Sequence, residues 1–130
     1  MSERKQNKKI DKRAPVIVGV GDLVDRSKED GLNPQELLAK ACEHAIQDSG
    51  IKELTKHIDY VGVVRFTVDF LTATNQSNFQ YSNFPRTLAN KLNVSAKNEV
   101  YAPMGGNSPQ VLLEDALVKI STGETDCALL

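Results

Sequence analysis

No tryptophan, two cysteines and two histidines among 130 residues remove several kinds of chemistry before any motif is read. Cys42 and Cys127 stand far apart with no C-x-x-C pair, so they supply neither a disulfide framework nor a zinc site and read as small apolar residues. His44 lies beside the apolar stripe of a helix, and His57 in a polar stretch before a strand. Neither has a Ser-x-Gly turn or paired carboxylates near it to make a triad or a metal ligand set. Long hydrophobic runs are missing too. No segment approaches the roughly 20 apolar residues of a membrane span, and MSERKQNKKIDKR lacks the apolar stretch of a secretory signal. These absences set the expectation of a cytoplasmic or organelle-matrix protein with no membrane partner, no metal and no covalently bound cofactor.

What is present describes one domain. A chain of 130 residues with 40% hydrophobic and 25% charged content can bury about two-thirds of its unfolded surface around a core without staples. The net charge is −1 but unevenly spread: residues 1–13 carry six basic and two acidic groups (+4), leaving ten against fifteen (−5). Such an arm is expected to be disordered and solvated, with contact to nucleic acid the lesser reading. The domain proper is expected over 14–130.

Four apolar segments alternate with helical patterns. APVIVGVGDLV (14–24) is a continuous apolar run bounded by Pro15 and Gly21, the signature of a strand buried on both faces. NPQELLAKACEHAIQDSG carries the start and stop signals of a helix: Asn33 to cap, Pro34 at the first position, Glu36 to close a capping box and Gly50 for a left-handed end. Leu37, Leu38, Ala41, Cys42, Ala45 and Ile46 form its stripe. IDYVGVV (58–64) reads as a second strand. From Phe66 to Ser82 the chain turns polar and Asn-rich, a long loop. NFPRTLANKLN then gives a short helix and NEVYAP a third strand. SPQVLLEDALVKISTGE repeats the first helix's grammar, with Leu112, Leu113, Ala116, Leu117 and Ile120 as its stripe and Gly123 as the stop. DCALL begins a fourth strand. The order βαβαβαβ predicts an α/β fold with a mostly parallel sheet, right-handed crossovers and helices on both faces. A buried strand with nothing over its far edge is expected to be incomplete at the C-terminus.

Chemistry is best placed where the third strand meets its helix, in YAPMGGNSPQ. Glycines admit a ligand close to the backbone, and the first helical turn offers unpaired N–H groups and a positive dipole end, which suit an oxyanion or a phosphate. The competing reading is structural: Gly105 and Gly106 make a tight turn, capped by Asn107 or Ser108. GVGDLVD begins like the dinucleotide fingerprint, but Val24 stands where its third glycine belongs. Glu114 and Asp115 fall on the solvated face of their helix, and Cys127 in an apolar strand is a poor nucleophile.

Taken together, APVIVGVGDLVDRS, NPQELLAKACEHAIQDSGI, HIDYVGVV, NFPRTLANKLNV, VYAPMGGNSPQ and LVKISTGETDCALL resemble the N-terminal part of the thiolase superfamily. The resemblance is narrower to the acetyl-CoA acetyltransferase-like group that carries GGNSPQ. Thiolases place a nucleophilic cysteine at the start of the helix that precedes a G-x-x-D strand. Counting back from Gly123–Asp126, the matching position is Gly106, or Gly105 if the turn shifts by one, with Ser108 on the motif's small hydroxyl residue and Asn107 between them. A glycine cannot be acylated. The resemblance therefore implies an acyltransferase frame for a coenzyme A thioester in which the covalent step has lost its nucleophile and the Gly106 N–H remains. The family's histidine and second cysteine belong to later segments. It also implies a homodimer paired through the 98–102 edge strand.

Overall fold

The structure is a computed structural model that describes residues 11–27, 31–67 and 83–130. The basic arm through residue 10, and the expected loop beyond Thr67, lie outside the described residues.

Helix α1 spans Pro34–Asp48 as its end signals require. Asn33 Oδ1 accepts from the Glu36 amide at 2.9 Å, and the Asn33 amide donates back to Glu36 Oε2 at 3.0 Å, closing the capping box. Gly50, at φ +63°, takes the left-handed conformation after the last turn. A 3-10 turn at Leu54–Lys56 leads into strand β1, Tyr60–Val64. Helix α2 covers Phe84–Lys91, strand β2 Asn98–Ala102, helix α3 Ser108–Thr122 and strand β3 Ala128–Leu129. Gly123, at φ +81°, ends α3, and the Arg13 guanidinium packs over it where a side chain would otherwise sit.

The sheet is parallel, in the order β2-β1-β3, with Tyr60 opposite both Asn98 and Ala128. Alternation along β1 divides the core into two layers. Val61 and Val63 join Leu129, Ala39 and Cys42 of α1, and Phe84, Leu88 and Ala89 of α2. Tyr60 joins Ala102, Leu112 and Ala116 beneath α3. Between them, Gly62 lets α3 come close, since a Cβ there would stand 2.9 Å from Leu112 Cδ1. The predicted α/β architecture is present: a parallel sheet with helices on both faces, joined by β-α-β connections.

One expected element differs. Residues 14–24 form no strand: Val16 and Ile17 are each 74% exposed, and the segment pairs with no strand among the described residues. It lies instead along α1, where Gly19 and Gly21 approach so closely that a Cβ on either would collide with the carbonyl oxygen of Ala45 or Ala41. The Val20 amide donates to Asp48 Oδ2 at 2.9 Å, and His44 Nδ1 meets the Asp22 carbonyl at 2.9 Å. Apolar composition records that both faces are to be covered, whereas strand pairing depends on a neighbour that composition cannot supply.

Candidate functional site at the start of helix α3

The β2–α3 junction brings Gly105, Gly106, Asn107 and Ser108 together at one helix N-terminus. The Ser108 amide donates to the Gly105 carbonyl at 3.1 Å, and the Val111 amide to the Asn107 carbonyl at 3.1 Å. Asn107 occupies the N-cap position, but its backbone is helical (φ −93°, ψ −9°) and its side chain caps no amide. Ser108 is buried, whereas Gly105, Gly106 and Asn107 are exposed. The two glycines are not interchangeable. A Cβ at Gly105 would meet Ser108 Oγ at 3.2 Å and Asn107 Oδ1 at 3.3 Å, while a Cβ at Gly106 would meet nothing within 4 Å.

Neither glycine has a positive φ. The turn therefore does not demand glycine at 106, and the purely structural account of that residue lacks its usual support. What Gly106 provides is an open approach to the first turn of a 15-residue helix, whose end carries a positive dipole.

Behind the junction, α3 is braced. The Tyr60 hydroxyl, on a side chain with no exposure, donates to Asp115 Oδ2 at 2.8 Å. Burial first, and the Asp115 carboxylate second, push the Tyr60 phenol well above its ordinary range, so it stays a donor. Lys119 adds an ion pair to Asp115 at 3.7 Å. Asp115 is thus half-buried and bonded to the sheet, not on the solvated face where helical spacing puts it. A second brace is Asp59, whose carboxylate accepts from the amides of Asp126 and Cys127 at 3.2–3.3 Å and pairs with Lys97 at 3.6 Å. Its carbonyl takes the amides of Lys97 and Asn98. Asp59 ties together the entries of all three strands. Its signal in the sequence is a carboxylate directly before a β-branched run.

The other candidates stay apart from this site. Burial pushes the Cys42 thiol up to about 11. Burial, then Asp59 and Asp126, raise that of Cys127, so neither is a thiolate at neutral pH. His44 and His57 are exposed. Among the described residues no three His, Cys, Asp or Glu side chains are grouped to hold a metal, and no helix is long and apolar enough to cross a membrane.

No family model and no curated protein matches the chain. Among solved structures it is similar to a monomeric SCP2-thiolase like protein type 1 from Mycobacterium smegmatis, with a TM-score of 0.73 and 32% identity over 90% of this chain. The match spans 23% of that structure's length. The chain has the fold of part of a thiolase-like protein.

Proposed function

We propose that the chain is the N-terminal part of a thiolase-like acyltransferase unit of the acetyl-CoA acetyltransferase-like kind, in which the acyl site keeps its helix end but has lost its nucleophile. The observation that carries this reading is Gly106: exposed, set at the start of α3, and placed so that a Cβ there would meet nothing within 4 Å beyond its chain neighbours. A side chain fits there without strain, and none is present. The thiolase-like neighbour and the GGNSPQ junction support the assignment of that helix end to an acyl site.

The chemistry left to these residues is electrostatic. The amides of Gly106 and Asn107 have no partner among the described residues, and together with the dipole of α3 they favour the oxygen of a coenzyme A thioester. No acyl-enzyme forms, because no side chain at position 106 can attack. The protein acts in the cytoplasm or an organelle matrix. A coupled assay with acetoacetyl-CoA and coenzyme A should give cleavage no faster than buffer. A saturable rate that Gly106→Pro abolishes would contradict the reading.

A second reading, a non-catalytic dimerisation module, is favoured by β2 standing at the sheet edge. The Asn98 amide donates to the Asp59 carbonyl, so in this parallel pair the backbone N–H and C=O of Glu99 point away from β1, along that edge. Light scattering that gives a dimer, and a monomer for Glu99→Pro, would support it. A monomer at every concentration would remove it.

A further inference from the structure

The first turn of α3 leaves open what the other helices close. In α1 and α2 an asparagine side chain takes the amide of the third helical residue: Asn33 that of Glu36, and Asn83 that of Arg86. The corresponding amide in α3 belongs to Gln110. The Asn107 side chain does not take it, and among the described residues it donates to no backbone carbonyl. The amides of Gly106 and Asn107 are open as well. A helix end of this kind attracts any anion and by itself names no ligand.

Ser108 narrows the choice. The residue is 6% exposed, and its hydroxyl makes no hydrogen bond among the described residues. Its Oγ is turned back over Gly105, 3.2 Å from the point that a Cβ on Gly105 would occupy. Gly105 and Gly106 are themselves exposed, so this unpartnered hydroxyl stands beside the open end of the helix. Asn107 Oδ1 flanks the same point at 3.3 Å, and a half-turn of its side-chain amide exchanges that oxygen for an NH2 donor. Residues 103–111 include no Asp, Glu, Lys or Arg. No carboxylate in the segment repels an anion there, and no cation in it answers the double charge of a phosphate. A thioester offers one carbonyl oxygen, which the Gly106 and Asn107 amides are enough to hold, and it leaves the Ser108 hydroxyl and the Gln110 amide without an acceptor. A carboxylate offers two oxygens with about four acceptor positions, enough for all of these donors. The space beyond Gly106, where a Cβ would meet nothing within 4 Å, gives it room.

From these observations we infer that the start of α3 binds the carboxylate of a free carboxylic acid, with the Ser108 hydroxyl and the open amides of the first turn as its donors. The inference rests on the acyl-site reading, since it concerns the same helix end, and it adds free acids to the thioester proposed there.

The test is a titration of the nitrogen-15-labelled 130-residue chain with sodium acetate at constant ionic strength, and separately with acetamide and with acetyl-CoA, followed by amide chemical shifts. The expected result is saturable shifts at Asn107, Ser108 and Gln110 with acetate. Acetamide, of the same shape without the charge, should bind at least about tenfold more weakly. Ser108→Ala should weaken acetate by about fivefold or more and change acetyl-CoA binding by less than about twofold. Should Ser108→Ala unfold the chain, Asn107→Asp tests the same point. It gives α3 a capping carboxylate of its own, and it should weaken acetate by about tenfold or more. Saturation by acetyl-CoA but not by acetate would overturn the inference and leave the acyl-site reading standing, whereas saturation by neither would overturn both. Acetate shifts that fall elsewhere in the chain, that acetamide matches, or that either folded variant leaves unchanged would overturn the inference alone.

Discussion

Single residues in this molecule are set by their partners more than by their position in a pattern. Asp115 reads as a surface carboxylate from helical spacing, yet it accepts from the buried Tyr60 hydroxyl. Tyr60→Phe should therefore lower stability by about 1–2 kcal/mol in urea denaturation, since it removes a bond to a charged group and leaves Asp115 to Lys119 alone. Thr125 behaves in the opposite sense. Among the described residues its buried hydroxyl has no partner, so Thr125→Val should leave the chain as stable as before or raise its stability by about 1 kcal/mol. Asp25 accepts from the Ser27 and Leu32 amides, and the hydrogen bonds of Ser27 first, then of Leu32, lower its pKa from 3.8 to about 2. Because the folded value lies below the unfolded one, this contribution is present above about pH 4 and is lost as pH falls toward 2. Asp25→Ala should remove that part of the acid dependence, which a comparison of urea midpoints at pH 6 and pH 2 would reveal.

At the scale of elements, legibility follows how local the cause is. Helix α1 was readable because Asn33, Pro34, Glu36 and Gly50 act within a turn of the ends they define. The parallel sheet was readable because helices alternate with short β-branched runs. The 14–24 segment reads as a paired strand because its apolar residues state a need for cover, whereas among the described residues it pairs with no strand and lies on α1. The junction at 104–109 was legible as a helix start, but that Gly106 faces open space while Gly105 meets Ser108 and Asn107 could come only from coordinates. Two glycine contacts make the element-level account testable. Gly62→Val should cost about 1–3 kcal/mol by pushing Leu112 and α3 off the sheet. Gly21→Val should instead lift residues 14–24 from α1 with little effect on the sheet, seen as faster proteolysis of that segment at an unchanged melting temperature.

At the scale of the whole molecule, the described residues form a three-stranded parallel sheet with β2 at one edge, a cleft beside β3, and a helix end open at Gly106. These features belong together in a thiolase-like unit of which this chain matches 23% of a solved example. On the function proposed above, the open helix end is an acyl site that lacks the nucleophilic side chain. Restoring a thiol there tests the claim most directly: Gly106→Cys, followed by iodoacetamide alkylation across a pH series with mass spectrometric readout for each cysteine. The account predicts a folded variant whose introduced thiol reacts with an apparent pKa near 7 or below, lowered by the α3 N-terminus, while Cys42 and Cys127 stay inert. A thiol at that position that titrates near the ordinary value of about 8.5, or that is as unreactive as Cys42, would contradict it.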